Sequence, residues 1–306
     1  MTILVTGGAG FIGSHLVERL LAAGHSVRVL DNLSTGKREN LPPHPALDIQ
    51  IGDIRDLGAV QTAVRGVTAV YHLAAVASVQ ASIDDPVGTH GANLVGTLYL
   101  LEAGRHAGVT RFIYASSAAV YGDTTQLPIA ESVALRPLSP YAADKLAGEH
   151  YLHFYAAKYG LRPTAFRFFN IYGPRQDPSS PYSGVISIFV NRARAGLPVT
   201  IFGDGSQTRD FVYVGDLVEV LYAALDNASM TGQTMNVGRG IECTLLELLA
   251  KLEVVLGKPI ERKHDAPRIG DIAKSRADVR KLQALLGWVP QTDLQVGLAR
   301  LVAFEN

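Results

Sequence analysis

The stretch ILVTGGAGFIGSHLVERLLAAG, residues 3–24, indicates the fold class of this chain. It opens with a short apolar run that is typical of a buried strand, and Gly7, Gly10 and Gly13 follow at G-x-x-G-x-x-G spacing. Helical periodicity begins with Phe11 and Ile12. Small residues in this context let the backbone approach a pyrophosphate at the positive N-terminus of a helix. The stretch therefore predicts a dinucleotide-binding turn, with a purely structural tight turn as the alternative.

An acidic residue, Asp31, follows the next predicted strand, residues 26–30. Its carboxylate can accept hydrogen bonds from both hydroxyls of an adenosine ribose, and it would repel a 2′-phosphate. Lys37 and Arg38 could favour that phosphate, but they lie in a predicted loop. The sequence therefore favours NAD over NADP as the cofactor.

Strand and helix patterns continue to alternate as far as residue 115. This alternation predicts an α/β fold, a Rossmann-type doubly wound parallel sheet. Asp53 follows a strand and either meets the adenine or caps a helix that begins at Leu57. We interpret His72 as a residue that packs beside the cofactor. Predicted strands cover residues 47–51, 69–73 and 111–115, and predicted helices cover residues 57–64 and 93–107.

The pattern changes after Arg167, where residues 166–184 form a long segment rich in Gly, Pro and Ser. We expect a dinucleotide-binding domain over residues 1–169, joined by about 211–240. Residues 170–306 are expected to form a smaller α/β lobe that binds the substrate, with a cleft between the two. Predicted helices there cover residues 185–195, 217–225, 245–256, 278–286 and 294–302, and predicted strands cover 199–202 and 233–237.

Composition excludes several classes of function. Lys plus Arg and Asp plus Glu both number 28, so no basic field favours nucleic acid. The single cysteine, Cys243, forbids an internal disulfide, and no thiolate metal cluster is expected. The N-terminus lacks a basic leader, and its apolar run is too short for a signal or membrane segment. A cytoplasmic protein without a membrane partner is therefore expected.

Chemistry is predicted in residues 114–145, which begin YASSAAVYG and end YAADK. Tyr141 and Lys145 are four residues apart in a predicted helix, so both lie on one face. A nearby ammonium favours the phenolate and makes the tyrosine usable as a base. Ser117 ends a predicted strand, where its hydroxyl can share a substrate proton. A chance surface pair is the alternative for the Tyr-x-x-x-Lys spacing.

These motifs resemble the extended short-chain dehydrogenase/reductase family, and within it the UDP-hexose 4-epimerases, over essentially the whole chain. HLAA (72–75), FNIYGPRQ (169–176) and TRDFVYVGD (208–216) carry the resemblance further. Dehydratases of this family have Asp-Glu directly after the catalytic hydroxyl residue; decarboxylases have Glu and epimerase-reductases Cys at the second position. Here Ala118 and Ala119 occupy these positions. Because alanine does no proton chemistry, redox at a single carbinol carbon remains.

The resemblance implies a mechanism. Tyr141 takes the proton from the sugar 4-hydroxyl while NAD⁺ takes hydride from carbon 4. Lys145 holds the nicotinamide ribose, and Ser117 hydrogen-bonds the 4-oxygen, with Ser116 behind it. The 4-ketose then turns about its phosphate linkage and receives the hydride on its opposite face, so NAD stays bound. The predicted cofactor contacts are Gly7, Gly10, Phe11, Ile12, Gly13, Asp31, Asn32, Asp53, Ile54, Leu73, Ala74, Ala75, Asn93, Tyr141 and Lys145.

The resemblance also assigns the UDP-sugar substrate. Arg209 and Arg268 match the diphosphate-binding arginines of the family, because a guanidinium suits phosphate. Asn170 matches an asparagine that donates to the diphosphate or the sugar. Asp271 is expected to contact the ribose hydroxyls, and Val199–Phe202 the uracil. Epimerases restricted to glucose and galactose have a tyrosine at the position that corresponds to Ser275. Some of them have a lysine at the position that corresponds to Ala77. Small residues there leave room for a 2-acetamido group, which implies UDP-GlcNAc and UDP-GalNAc, with UDP-glucose and UDP-galactose as further candidates; surface turns are the alternative. Ser78, Ser117, Gly184, Val185 and Phe202 complete the predicted substrate set.

Family members usually dimerise through two helices, which implies a homodimer here. The apolar faces would come from the predicted 93–107 helix and the Tyr141 helix, although an intramolecular role would look identical in sequence. Two other functions stay open: a reductase or another nucleotide-sugar epimerase, and a dinucleotide-binding sensor without turnover. Such sensors usually lack the tyrosine or the lysine. The residues expected at the dimer face are Leu94, Leu98, Leu101, Tyr151 and Tyr155.

Overall fold

The structure is a computed structural model that describes residues 1–177, 184–267 and 272–304. The strands are β1 (Thr2–Thr6), β2 (Ser26–Asp31), β3 (Leu47–Ile51), β4 (Ala69–His72), β5 (Arg111–Ser117), β6 (Arg162–Phe168), β7 (Asn170–Tyr172), β8 (Val199–Phe202), β9 (Thr208–Arg209), β10 (Phe211–Tyr213), β11 (Gln233–Val237), β12 (Cys243–Thr244) and β13 (Arg262–Asp265). The α-helices are α1 (Phe11–Ala22), α2 (Leu57–Ala63), α3 (Val79–Asp84), α4 (Pro86–His90), α5 (Gly96–Ala107), α6 (Pro140–Tyr159), α7 (Val185–Arg194), α8 (Val214–Ala223), α9 (Leu245–Leu256), α10 (Arg280–Leu286) and α11 (Leu294–Phe304).

Within the described residues, seven strands form one sheet in the order β11-β6-β5-β4-β1-β2-β3. The pairing is parallel from Thr2↔Ser26 along β1 and β2, and from Ile3↔Ala69 along β1 and β4. The strand order reverses between β1 and β4. In open α/β sheets a crevice forms at the carboxyl ends of the strands at such a reversal. The predicted Rossmann-type doubly wound α/β fold is confirmed.

Burial explains why these strands are nearly continuous apolar runs. Ile3, Leu4 and Val5 are completely buried, because helices cover both faces of a parallel sheet. Phe112 and Tyr114 of β5 belong to the same kind of core and are equally buried. The sheet therefore forms a rigid support for the turns at its carboxyl edge.

The chain divides into two compact units. The first contains Met1–Val120, Leu135–Arg167 and Val218–Met235, and the second contains Tyr121–Ala134, Phe168–Leu217 and Asn236–Asn306. Short strand pairs organise the second unit: β7 with β10, β9 with β12, and β8 with β13. The functional roles expected for residues 1–169 and 170–306 stay predictions.

Several elements differ from those that the sequence predicts. The predicted 93–107 helix begins with a π-helical turn, Gly91–Val95, which continues α4 into α5. Helix α8 begins at Val214 rather than 217, and α10 at Arg280 rather than 278. The sequence did not predict β6, α3 or α4. Across residues 1–177, 184–267 and 272–304, no helix combines the length and the apolar character needed to cross a membrane.

Candidate active site

The glycine turn between β1 and α1 is closed too tightly for side chains. A Cβ added to Gly13 would lie 2.1 Å from the Gly7 carbonyl oxygen, and one added to Gly7 would lie 2.8 Å from the Ala74 amide nitrogen. Gly7 also has a φ of +69°, which favours glycine. Helix α1 starts after Gly10 without a side-chain cap, so first-turn amides keep the anion-binding character of a helix N-terminus. These features fit a pyrophosphate.

Asp31 ends β2 beside this turn and is only 7% exposed. One carboxylate oxygen accepts from the Ala9 amide at 2.9 Å, and the other accepts from the Leu33 amide at 2.8 Å. Each carboxylate oxygen can accept a second hydrogen bond, so both ribose hydroxyls can still be bound. The negative charge next to the glycine turn favours a cofactor that lacks a 2′-phosphate.

Asp53 belongs to a local polar network. Asn32 donates to it at 2.8 Å, and Arg55 forms an ion pair with it at 2.7 Å. Mainly the Arg55 hydrogen bond lowers the pKa of the Asp53 carboxyl. The alternative that Asp53 caps α2 is wrong: Asp56 is the N-cap and accepts from the amides of Gly58 and Ala59. Asp56 lies three residues closer to α2 than Asp53 does, so Asp56 rather than Asp53 accepts from those amides.

The segment after β4 carries three predicted cofactor residues, Leu73, Ala74 and Ala75, which are partly exposed. Asn93, buried in the π-helical turn, accepts from the Val76 amide at 2.8 Å and donates to the Val76 carbonyl at 3.1 Å. The side chain of Asn93 therefore fixes the backbone at the end of this segment. The neighbouring Ile54 is buried, and its side chain fills the space above Gly96.

His72 is buried and bonded at both ring nitrogens. Nδ1 lies 2.8 Å from the Thr6 hydroxyl, and Nε2 lies 2.9 Å from the Thr97 hydroxyl. Burial, helped by the charge of Lys145, lowers the pKa of His72 to about 3. A neutral, fully bonded imidazole agrees with a packing role.

Ser117, Tyr141 and Lys145 come together where β5 meets α6. The Ser117 hydroxyl is close enough to the Tyr141 phenol to favour its ionised form. Lys145 is 3% exposed; its Nζ donates to the Ala115 carbonyl at 2.7 Å and lies 5.9 Å from the Tyr141 ring centroid. The Tyr-x-x-x-Lys pair therefore faces the end of β5, where a hydroxyl, a phenol and an ammonium are close neighbours.

The pKa values of Tyr141 and Lys145 are shifted in opposite directions. Burial raises the pKa of Tyr141, and the nearby Ser117 hydroxyl opposes that rise. Burial lowers the pKa of Lys145 to about 8, and the nearby Asp144 opposes that fall. The expectation that Lys145 lowers the pKa of Tyr141 is wrong for this structure: removal of the phenolate from water dominates, and the ammonium is engaged by a backbone carbonyl.

A buried ion pair, which the sequence pattern did not predict, lies behind these residues. Arg167 on β6 donates to Glu149 on α6 at 3.0 and 2.7 Å. Ser116 on β5 also donates to Glu149. Glu149 thus ties α6, which carries Tyr141, to β6 through Arg167 and to β5, the strand that carries Ser117, through Ser116. The placement of Glu149 one turn after Lys145 was the available signal.

The predicted substrate residues have mixed surroundings. Ala77 is exposed, and the Ser78 hydroxyl caps α3 by accepting from the Ala81 amide at 3.1 Å. In the second unit, Ser275 is 8% exposed, and Nη1 of Arg209 donates to the carbonyls of Thr208 and Ile272. Asn170 and Gly184 are exposed, and Val185 and Phe202 are partly exposed. Arg268, Asp271 and residues 178–183 of the Pro/Ser segment lie outside the described residues.

Known proteins resemble the chain along its whole length. The NAD dependent epimerase/dehydratase family matches residues 3–238. A UDP-glucose 4-epimerase of Mycolicibacterium smegmatis is 43% identical, over 99% of this chain and 98% of that relative. The crystal structure of Thermus thermophilus UDP-glucose 4-epimerase with NAD has a TM-score of 0.92 and 45% identity, over 99% of this chain and 98% of that one. A UDP-N-acetylglucosamine 4-epimerase from Methanobrevibacter ruminantium, in complex with UDP-N-acetylmuramic acid, has a TM-score of 0.94 and 36% identity, over 99% and 97% of the two chains.

These similarities agree with the glycine turn, with Asp31 and with the group formed by Ser117, Tyr141 and Lys145. The predicted cofactor, NAD, is confirmed by the family. The roles of individual residues stay predictions. The chain is a member of the NAD dependent epimerase/dehydratase family, and within these extended short-chain dehydrogenases/reductases it is an NAD-dependent nucleotide-sugar epimerase.

Proposed function

We propose that the protein interconverts UDP-GlcNAc and UDP-GalNAc by inverting carbon 4 through a 4-keto sugar, and that it also accepts UDP-glucose and UDP-galactose. Two features carry the proposal: the group of Ser117, Tyr141 and Lys145, and the alanines at the two positions directly after Ser117, Ala118 and Ala119. This group can move a proton on one hydroxyl, and the two alanines offer no acid or base for eliminating water. Inversion of one carbinol carbon is the chemistry that remains.

NAD⁺, when bound, accepts and returns the hydrogen and the electron pair of the carbon 4 C–H bond. The Tyr141 phenolate takes the proton of the 4-hydroxyl, and Ser117 hydrogen-bonds the same oxygen. Lys145 binds the nicotinamide ribose and keeps a positive charge beside the phenol. After the sugar has turned, the Tyr141 phenol returns its proton to the 4-oxygen. Atoms and electrons balance over the cycle, so no external reductant is needed.

We assign the cofactor to the turns at the carboxyl edge of the sheet. In this proposal the amides after Gly10 and around Gly13 bind the pyrophosphate, and Asp31 binds the adenosine ribose. Asp53 and Asn32 face the adenine, and the 73–75 segment lies against the nicotinamide end. Support comes from the tight turn, which has no space for side chains at Gly7 and Gly13.

The nucleotide of the substrate is assigned to residues of the second unit. Arg209 and Arg268 would bind the diphosphate, because a guanidinium suits phosphate oxygens. Asn170 would donate to the diphosphate or the sugar, and Asp271 would accept from the uridine ribose. Val199–Phe202, with Phe202 partly exposed, would face the uracil.

Sugar choice is assigned to small side chains. The proposal assigns Ser275 to the space beside carbon 2, which a bulkier residue would restrict. Ala77 and Gly184 are exposed, and Ser78 and Val185 are partly exposed. A 2-acetamido group needs such space, whereas a 2-hydroxyl does not. The proposal therefore predicts that size at Ser275 controls the ratio between the two sugar pairs.

The test measures initial rates with UDP-GlcNAc and UDP-glucose for the wild type, Ser275→Tyr and the matched control Ser275→Ala. We expect both substrates to react without added cofactor. Ser275→Tyr should lower kcat/KM for UDP-GlcNAc about tenfold more than for UDP-glucose, an effect of the size seen for misfitting groups in a pocket, and Ser275→Ala should change neither. Conversion of UDP-glucose alone would contradict the sugar assignment, and a requirement for added NADH would favour the reductase alternative.

We also propose that the protein is a homodimer through α5 and α6. Leu101 and Tyr155 do not offer the exposed apolar face expected of them, because both are buried in the core of the first unit. Tyr155 also donates to Glu102 at 2.8 Å. Tyr151 and Phe154 on α6 are exposed instead, by 39% and 51%. These two aromatic side chains, with Leu94 and Leu98, make up the proposed face.

Light scattering during gel filtration tests this proposal. We expect a dimer at micromolar concentration for the wild type and a monomer for Phe154→Asp, since a charge would be buried in the interface. Val254→Asp, another exposed apolar residue on a helix of the second unit, is the control and should stay dimeric. A monomeric wild type would contradict the proposal.

A further inference from the structure

Thr208, which precedes the predicted diphosphate arginine, is bonded to a distant segment of the second unit. This segment covers residues 272–277, includes Ser275 and is called the 272–277 segment. The Thr208 amide donates to the Ala273 carbonyl at 2.9 Å, and the Ser275 amide donates to the Thr208 hydroxyl at 3.4 Å. These bonds fix the main chain on both sides of residue 274.

Asp210, which follows the arginine, holds the same segment from its other end. Its carboxylate is completely buried and accepts from the amide of Ala277 at 3.0 Å. The amides of Arg239 and Gly240 also donate to it, at 2.8 and 2.9 Å. A buried carboxylate is costly unless it is hydrogen-bonded, so these three amides explain its presence. Asp210 therefore joins two loops to β10.

The packing around Asp210 requires close approach of the backbone. A Cβ added to Gly238 would lie 2.3 Å from the Ala277 side chain and 2.8 Å from the Asp210 carboxylate. Gly238 thus allows the 272–277 segment to reach the carboxylate. The three elements form one interlocked arrangement rather than independent surface turns.

The predicted diphosphate arginine belongs to this arrangement. Nη1 of Arg209 donates to the Thr208 carbonyl at 2.8 Å and to the Ile272 carbonyl, at the start of the 272–277 segment, at 2.6 Å. The orientation of its guanidinium therefore depends on where that segment lies. Arg209 and Ser275 are held in one frame, although 66 positions separate them in sequence.

We propose that Thr208 and Asp210 are positioning residues for the substrate. They fix the 272–277 segment so that Arg209 and Ser275 keep one spacing. The inference rests on the proposed function, which assigns the diphosphate to Arg209 and the sugar to Ser275. Neither Thr208 nor Asp210 is assigned to the reacting carbon, so their loss weakens substrate binding and leaves the chemical step unchanged.

The test compares Asp210→Asn with the wild type and with Asp204→Asn. Asp204 is an exposed carboxylate in the same unit that accepts from Ser206 in a local turn. In Asp210→Asn an NH₂ group replaces an oxygen that accepts backbone amides. We expect KM for the UDP-sugar and the dissociation constant of UDP to rise about tenfold, the effect of one lost buried hydrogen bond. The kcat should stay within about twofold, and Asp204→Asn should match the wild type.

Thr208→Val is the second variant. It keeps the shape of the side chain and leaves the buried Asp210 carboxylate unaltered. It should also raise KM, and hydrogen exchange of the 272–277 segment should increase in both variants. Unchanged UDP affinity in a folded variant, or a fall of kcat without a rise of KM, would overturn the proposal. A wild type that binds UDP but converts no UDP-sugar would contradict only the proposed function, because UDP affinity still decides the positioning role. A wild type that does not bind UDP would overturn both.

Discussion

Burial sets the protonation of Tyr141 and Lys145 in opposite directions. The pKa of Tyr141 is raised by burial, so the phenol is mainly protonated at neutral pH. The pKa of Lys145 is lowered to about 8, so its ammonium begins to lose its proton not far above neutral pH. The Tyr141 phenolate and the Lys145 ammonium are therefore present together in only a small fraction of the molecules at any pH.

The need for both charged forms predicts a broad, bell-shaped dependence of kcat on pH. As pH rises, the active phenolate of Tyr141 becomes more populated and the rate rises. Above about pH 8 the Lys145 ammonium loses its proton, which offsets the growing phenolate population, so the rate levels off and falls only above the raised pKa of Tyr141. Stopped assays across the pH range with UDP-glucose would measure the profile. A rate that keeps rising well above pH 8 would show that the charge of Lys145 is not needed.

Removal of the phenol tests its role as the base. Tyr141→Phe should lower kcat by about 100-fold or more, the usual size of a general-base contribution, with little change in KM. Tyr151→Phe removes an equivalent hydroxyl from an exposed tyrosine of the same helix and should leave kcat unchanged. Equal kcat values for the two variants would exclude Tyr141 as the base.

Single residues could be predicted from the sequence where local spacing carries the signal. The i,i+4 relation joins Tyr141 and Lys145 within one helix, and Asp31 directly ends a strand. The Arg167–Glu149 pair spans 18 positions and the Asp210–Ala277 bond spans 67, so only the fold brings these partners together. Burial reverses the expected pKa shift of Tyr141, and burial cannot be derived from spacing.

Among the elements, the turn between β1 and α1 has the least space. A Cβ at Gly13 would meet the Gly7 carbonyl oxygen at 2.1 Å, which is backbone and cannot move aside cheaply. Gly13→Ala should therefore displace the start of α1, weaken NAD binding at least about tenfold and destabilise the fold by about 1–3 kcal/mol. Titration of NAD and thermal unfolding would measure both effects.

Gly91→Ala is the matched control for this change. A Cβ at Gly91 would meet its nearest neighbour, the Arg55 side chain, at an ordinary 3.6 Å. NAD affinity and stability should stay close to those of the wild type. If Gly13→Ala also bound NAD normally, the turn would not depend on the close approach of Gly13 to the Gly7 carbonyl oxygen.

Elements with clear periodicity could be predicted, and those with polar or split patterns could not. β3 (Leu47–Ile51), β8 (Val199–Phe202) and α9 (Leu245–Leu256) have the predicted bounds. β6 was missed because Arg162, Pro163 and Arg167 interrupt its apolar pattern; Arg167 is neutralised by Glu149. The π-helical turn at Gly91–Val95 leaves the same helical pattern in sequence as an α-helix.

At the scale of the whole molecule, the division into units does not follow one cut in the chain. Residues 121–134 belong to the second unit because Ile129 pairs with Ala277 and the Tyr121 hydroxyl donates to Asn236 at 2.6 Å. These contacts span more than a hundred positions, beyond the reach of local patterns. The Rossmann fold class, by contrast, follows from the repeated alternation of strands and helices as far as residue 115.

The central claim is that the hydrogen at carbon 4 leaves the sugar and returns to the same carbon while Tyr141 handles only the hydroxyl proton. The most direct measurement incubates the wild type with UDP-GlcNAc deuterated at carbon 4, in ordinary water and without added cofactor, and follows the product by NMR and mass spectrometry. We predict UDP-GalNAc that retains the deuterium at carbon 4. UDP-GalNAc that has exchanged this deuterium for solvent hydrogen would contradict the account.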